Sequence, residues 1–254
     1  MTERSGNRFL RDTRLMFMRS VRPLVRQPLV IVLGTAQPML FLLLFGPLLG
    51  GFGSDEDSWQ WFVPGLVIQM ALFGTAYAGY VLMPEIRSGV LERLQVTPIS
   101  RIALLLGRVL RDVGVLLIQC VILLAVSTLF GFRAGPGQIA LVLFIGALAG
   151  VSIAATSHTL ALKVKHEYVF GPLLGGTVMP VLLLSGALLP MDQGPDWLYA
   201  LSRVNPLSYA VDAVRAIVEG RMGDTVVWSG GLVIVALSGL CLYWGVRTFR
   251  KEAL

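Results

Sequence analysis

The chain has 254 residues, 55% of them hydrophobic and only 14% charged, where an ordinary soluble domain carries roughly a quarter charged residues. No soluble core could bury that much apolar surface, so a soluble globular domain is excluded. Lysine and arginine total 21 against 15 aspartates and glutamates, and that basic excess reads as a topology signal and not as a nucleic-acid footprint.

In the N-terminal stretch Arg4, Arg8, Arg11, Arg19, Arg22 and Arg26 recur at near-helical intervals, while Phe9, Met16, Phe17, Val21 and Leu24 fall largely on other faces. Residues 1–28 therefore predict an amphipathic interfacial helix, its apolar face in the acyl chains and its arginines at anionic headgroups of membrane lipid. A disordered basic tail that only sets topology is the other reading. The arginines are too many and too spread for a cleavable signal, so insertion is expected to rely on the first span.

Six windows contain no Asp, Glu, Lys or Arg: 29–49, 61–83, 113–132, 139–162, 169–189 and 226–246. Each has the roughly 20 residues that a helix needs to cross a hydrocarbon core of about 30 Å. Lone strands would leave backbone groups unsatisfied in lipid, and barrel strands of about 10 residues would alternate apolar with polar. The predicted fold class is an all-α integral membrane protein, one transmembrane domain over 1–254 with six transmembrane helices. Cys120 and Cys241 fall inside spans and read as small packing residues. Gly146 with Gly150, Gly171 with Gly175 and Gly176, and Gly74 with Gly79 suit close helix approach. Pro38, Pro47, Pro172 and Pro180 are expected to kink or end helices.

Seventeen of the 21 basic residues lie in 1–28, 84–112, 163–168 and 247–254, and four, Arg133, Arg203, Arg215 and Arg221, lie in the opposite loops. Both termini are thereby predicted to be cytoplasmic. Asp55, Glu56 and Asp57, then Asp192, Asp196, Asp212, Glu219 and Asp224, fall on the external side, with the run at 55–57 read as a solvated acidic turn. Trp59, Trp61, Trp197, Tyr199, Trp228, Tyr243 and Trp244 stand where an interfacial belt would place them.

Between the second and third windows runs the longest cytoplasmic connection, PEIRSGVLERLQVTPISRIALLLGR. Ile86, Val90, Leu91 and Leu94 make a short apolar stripe among Glu85, Arg87, Glu92 and Arg93, and Thr97-Pro98 ends it. Such a helix suits docking of a soluble partner, although a solvated loop helix capping the bundle shows the same pattern. Between the fifth and sixth windows, NPLSYAVDAVRAIVEG offers Asn205 as N-cap, Pro206 at the first helical position and Gly220 as terminator. Leu207, Val211, Val214 and Val218 form one face, and Asp212, Arg215 and Glu219 form another at spacings close enough to pair. This segment is too short and too charged to span, and predicts an external or re-entrant helix over the bundle.

Several chemistries are missing. No GxxxxGK[ST] loop exists, since none of Lys163, Lys165 and Lys251 follows a glycine, so nucleotide cannot be held in that way. No HExxH or cysteine cluster would hold a metal, and the histidines are His158 and His166 alone. His158 lies inside an apolar run, as a proton relay or, more commonly, as a helix-packing hydrogen bond. None of the six windows contains a carboxylate, which counts against an ion-coupled carrier. The polar and aromatic groups Gln37, Gln69, Phe73, Tyr77 and Gln119 remain as pathway candidates. Gln69, Phe73 and Tyr77 recur every four residues on one face, for stacking against a substrate or for packing between helices.

Two stretches, EIRSGVLERLQVTPISRIALLLGRVLRD over 85–112 and LLLSGALLPMDQGPDWLYALSRVNPLSYAVDAVRAIVEG over 182–220, together with the six-span layout behind a basic lead-in, resemble the permease subunit of bacterial type-2 ABC exporters, particularly the daunorubicin-type drug-export branch. The resemblance implies a homodimer or pseudo-dimer of six-span subunits in the bacterial inner membrane, each bound from the cytoplasm by a separate ABC ATPase that carries the ATP and magnesium. This chain would then have no cofactor of its own, no catalytic residue and no metal, and would act as a transport subunit and not as an enzyme. Residues 85–97 would be the coupling helix, with Glu85, Arg87, Glu92 and Arg93 as charged contacts to the ATPase and Gly89 allowing close approach. Residues 190–220 would be the external re-entrant segment, with Asn205, Pro206, Asp212, Arg215 and Glu219 at the external gate. The implied function is ATP-driven export of a small hydrophobic drug or antibiotic. Export of a lipid-linked glycan by the same fold and a membrane-embedded lipid-modifying enzyme are the competing readings.

Overall fold

The computed structural model describes residues 2–25, 29–49, 55–89, 101–164 and 166–251. All its regular elements are helical: α1 (Thr2–Val25), α2 (Leu29–Leu49), α3 (Asp55–Ala76), a 3-10 turn (Ala78–Val81), α4 (Leu82–Arg87), α5 (Arg101–Leu129), α6 (Pro136–Val164), α7 (Glu167–Leu184), a second 3-10 turn (Met191–Gln193), α8 (Asp196–Ser202), α9 (Pro206–Val218) and α10 (Thr225–Lys251). Among the described residues five stretches are long and apolar enough to cross a membrane, namely Ser58–Arg87, Ile102–Leu129, Pro136–Val164, Glu167–Leu184 and Thr225–Phe249. The expected first span, 29–49, falls on α2, whose described apolar part, Ile31–Phe45, is shorter than the other five.

α6 is the hub, packing against α3, α5, α9 and α10. Its small residues permit this: a Cβ on Gly150 would stand 2.5 Å from Leu116 of α5, and one on Gly146 would stand 3.3 Å from Val67 of α3. α3 is apolar nearly all round and deeply buried, with Val63, Leu66, Val67, Ile68, Met70 and Ala71 almost wholly covered, as expected of a central helix. α7 buries only Phe170, Leu174, Val178 and Leu182, one stripe at four-residue spacing. Among the described residues nothing stands within 4 Å of a Cβ built on its Gly175 or Gly176, so the close approach expected of them is not made there. α7 also runs on through Pro172 and Pro180.

The largest departure from expectation lies in the second span. Instead of one helix over 61–83, α3 ends at Ala76, Tyr77 turns, the 3-10 turn covers Ala78–Val81, and α4 carries the chain to Arg87. The expected coupling helix over 85–97 therefore begins inside α4, as the end of the second span. Gly89, at φ 67°, terminates that helix, so its glycine answers to backbone geometry there. Glu92 and Arg93 lie outside the described residues. The helix of the third span likewise starts earlier than expected, at Arg101 and not Val113, and its spanning stretch, Ile102–Leu129, takes in Arg108, Arg111 and Asp112.

α1 lies along α5. Gly107 makes this possible, because a Cβ there would meet Met16 Cβ at 2.5 Å and the Phe17 nitrogen at 3.0 Å. Arg11, Arg14, Arg19 and Arg22 stay exposed with Leu15 and Met18. Two expected belt residues turn inward: Trp59 is buried beside Phe130 (ring centroids 5.6 Å apart), and Trp61 covers Arg215.

Candidate functional site

Charged side chains gather at the two ends of the bundle. At the end where the 88–101 connection leaves, Glu85 of α4 is ion-paired with Arg108 of α5, and Arg87 lies 3.1 Å from Glu167 at the start of α7. Two of the four charged residues expected at an ATPase contact, Glu85 and Arg87, are thus engaged within the chain. One turn deeper, Asp112 accepts from Arg111 Nε at 2.9 Å and stands 2.7 Å from His158 Nε2 of α6. Asp112 and His158 are both buried, and among the described residues His158 Nδ1 has no partner. His158 is thus a hydrogen-bonding group between helices, the commoner of its two sequence readings, but its partner is a carboxylate inside a span. Asp112 stands one residue before the charge-free window, and its charge is compensated locally by Arg111.

At the other end, Asn205 Oδ1 accepts from Leu207 N–H at 3.1 Å as the expected N-cap, and its amide donates to the Val181 carbonyl of α7 at 2.7 Å. Pro206 is the first helical residue, and Gly220, at φ 80°, follows the end of α9. Leu207, Val211, Val214 and Val218 are buried, so α9 is sunk among α3, α6 and α10 and does not lie over them. Gln138 of α6 donates to the Ile217 and Val218 carbonyls at 2.9 and 3.0 Å, closing the helix end.

The expected pairing among Asp212, Arg215 and Glu219 is not formed. Asp212 instead takes Arg203 at 2.7 Å, and Arg203 also sits over Tyr199 and Tyr209. Glu219 takes Arg221, which reaches Asp224 at 2.8 Å as well. Arg215 points inward: Nε donates to the Trp61 carbonyl at 3.2 Å, Nη2 donates to those of Gly186 and Ala187 at 2.9 and 3.4 Å, and the guanidinium stacks 3.9 Å from the Trp61 ring. Burial, which disfavours the charged form, lowers its pKa to about 10 against the pull of Asp212, Asp192 and Glu219. Arg215 therefore ties α9 to the N-terminal part of α3 and to the irregular chain that follows α7.

The pathway candidates separate. Gln69 is buried, and among the described residues neither amide atom has a partner. Phe73 is half-buried, while Tyr77 is exposed at the break and stacks on Tyr80 with centroids 6.1 Å apart. Gln119 is buried where α2, α3 and α5 meet, beside Gly34 and Gly74, and donates to the Ile31 carbonyl at 3.3 Å.

A family model described as ABC-2 type transporter matches residues 11–218. The chain belongs to the ABC-2 type transporter family. Among curated relatives, the daunorubicin resistance ABC transporter permease protein DrrB1 of Streptomyces coeruleorubidus is 29% identical over 221 residues, 84% of this chain and 76% of that one. The probable doxorubicin resistance ABC transporter permease protein DrrC of Mycobacterium tuberculosis is 24% identical over 251 residues, 95% of this chain and 91% of the relative. The probable multidrug ABC transporter permease YbhR of Escherichia coli K12 is 25% identical over 203 residues, 77% of this chain and 54% of its own. This ABC-2 chain is accordingly a multi-pass, all-helical membrane protein. Its bonded ends involve residues that sequence reasoning assigned to no site, Arg108, Arg111, Asp112 and Glu167, and Trp61, which it read only as a belt residue. The signal for one pair was present in Asp112, next to an apolar window, and His158, inside another.

Proposed function

We propose that this chain is the membrane subunit of an ATP-driven exporter, moving a small hydrophobic drug or antibiotic out of the cell with energy from a separate ABC ATPase. The observation that carries the reading is the ABC-2 match over 11–218, joined to relatives whose names place them in daunorubicin, doxorubicin and multidrug transport. In this reading six spans lie in the bacterial inner membrane with both termini cytoplasmic, two copies form the transport unit, and ATP and magnesium stay on the ATPase. The chain performs no chemistry. It changes shape when the ATPases press on the 88–101 connection, and hydrolysis selects between its states.

The ion pairs at the base of that connection support transmission, because a force on it reaches α5 through Glu85 and Arg108 and α7 through Arg87 and Glu167. Gln69, Phe73, Tyr77 and Gln119 are proposed to meet the substrate, and Asn205, Pro206, Asp212, Arg215 and Glu219 to close the outer side. Neutralising Glu92 and Arg93 together is expected to abolish substrate-stimulated ATP hydrolysis by the reconstituted complex while insertion is retained. Full stimulation in that double variant would remove the coupling assignment. Uphill drug movement in vesicles that hold this chain without an ATPase would remove the function itself.

A further inference from the structure

A break inside a membrane span leaves backbone groups without helical partners, and lipid offers none in their place. In the second span the break covers Tyr77, Ala78, Gly79, Tyr80 and Val81, and Pro84, three residues beyond it, has no N–H for the Tyr80 carbonyl, so a continuous α-helix is already weakened there. One side chain from another helix supplies what is missing. The Ser157 hydroxyl of α6 donates to the Ala76 carbonyl and accepts from the Gly79 N–H at 2.9 Å. The packing is equally specific: a Cβ on Gly79 would stand 2.6 Å from the Ser157 carbonyl and 2.7 Å from Phe170 Cζ. Tyr80 meets Phe170 edge-on at 5.0 Å, and its hydroxyl occupies the space a side chain at Gly171 would need.

Straightening the break would return both groups to ordinary helical bonds, Ala76 C=O to Tyr80 N–H and Gly79 N–H to Thr75 C=O. The Tyr80 N–H, bonded at the break to the Tyr77 carbonyl at 3.0 Å, only changes acceptor, and the buried Ser157 hydroxyl loses both partners, so hydrogen bonding favours the broken form as the resting one. Geometry also distinguishes the two forms. A 3-10 turn advances about 120° and 2.0 Å per residue and an α-helix about 100° and 1.5 Å, so converting four residues turns α4 by about 80° and shortens the span by about 2 Å. That turn would carry Glu85 away from Arg108 and Arg87 away from Glu167. The broken span and the two ion pairs therefore stand or fall together.

We propose that residues 77–81 are a two-state hinge in the second span, with Ser157 as the positioning residue that holds the broken form and the Glu85–Arg108 and Arg87–Glu167 pairs as its latch. Its use in transport rests on the exporter reading. Release of the latch by force on the 88–101 connection swings Tyr77, the exposed aromatic at the break, and shifts Phe170 and Gly171 at the start of α7. One event near the connection is thereby converted into movement of a pathway side chain and of a second span.

The test uses the full chain in lipid nanodiscs with Cys120 and Cys241 replaced by alanine and spin labels on Ser88→Cys and Leu240→Cys. A Leu141→Cys, Leu240→Cys pair serves as a reference for the intact bundle. Glu85→Gln with Arg87→Gln is expected to move the 88–240 distance or add a second population displaced by 2 Å or more, with the reference pair unchanged. Ser157→Ala is expected to deplete the original population and Ser157→Thr, which keeps the hydroxyl, to restore it. A single unshifted 88–240 distance in the latch variant, or identical distributions for the alanine and threonine variants, overturns the hinge. Failure of the chain to bind any ABC ATPase would overturn the exporter reading and leave these distances standing, so the two failures are distinct.

Discussion

Arg215 allows a magnitude to be worked from the structure. Its guanidinium makes two well-formed hydrogen bonds to carbonyls, at 2.9 and 3.2 Å, a longer third at 3.4 Å, and a stack on Trp61. Hydrogen bonds from a charged donor contribute about 1.5–3 kcal/mol each, and a partly desolvated cation–π contact about 1–2 kcal/mol. Burial of the charge, which also lowers its pKa, opposes these. Arg215→Met keeps the length of the side chain and removes every donor, with a net loss of about 3–4 kcal/mol once desolvation is regained. At about 2–4 °C per kcal/mol for a chain of this size, the unfolding midpoint should fall by roughly 6–16 °C. Arg215→Lys keeps the charge but neither the fork nor the planar face, and should lose about half as much. The assay is thermal unfolding in detergent followed by tryptophan fluorescence, together with amide exchange over 185–190, which should quicken as the Gly186 and Ala187 carbonyls lose their partner. Unchanged exchange there in Arg215→Met, or a lysine variant as stable as the parent, would refute the reasoning.

The buried pair between α5 and α6 makes a second test. Asp112→Ala strands His158 and Arg111 and should cost about 3–5 kcal/mol, while Asp112→Leu with His158→Leu should recover at least half of that, as read by the temperature at which the detergent-solubilised protein aggregates. Gly107→Val should lift α1 from α5, because even a Cβ there lies 2.5 Å from Met16. Trypsin should then cut at exposed Arg14 and Arg19 several-fold faster while the spans stay inserted, and equal rates would count against the packing.

Much of the fold was legible because the bilayer imposes one demand on every span, a long run without charge. The runs at 139–162, 169–189 and 226–246 fall on α6, α7 and α10, with α7 ending a few residues before its run does. That criterion fails where charges are neutralised inside the bundle. Arg108, Arg111 and Asp112 ended the apolar window at Val113, yet each has a partner in the fold, so the helix continues back to Arg101. At Asn205, Pro206 and Gly220 local chemistry sufficed, since caps and terminators act within a few residues. The pairing of Asp212, Arg215 and Glu219 was misread because spacing along one helix says nothing of partners on other elements, and Arg203, Trp61 and Arg221 won each of them. The break at 77–81 was legible only in part: Pro84 signals a weakened turn before it, but the Ser157 hydroxyl that satisfies the Gly79 N–H is supplied from 78 residues away.

The division of polar groups between the ends and the middle of the bundle has a mechanical consequence. At either end the helices are joined by ion pairs and buried hydrogen bonds, which are short-ranged, directional and lost within a small displacement. Between them α6 meets α3 and α5 across glycine and alanine surfaces, and the bonds it makes there, such as those of Ser157 at the break and of Ser238 from α10 to its Leu148 carbonyl at 2.8 Å, come from single hydroxyls. The glycine and alanine contacts depend on close fit and little on direction, so small rotations cost less there than at the ends. A bundle so built resists motion at its rims and tolerates it in its middle. Opening one rim while the other stays bonded is then the motion of lowest cost, and Tyr77, at the break between the rims, is a pathway side chain placed to respond to it.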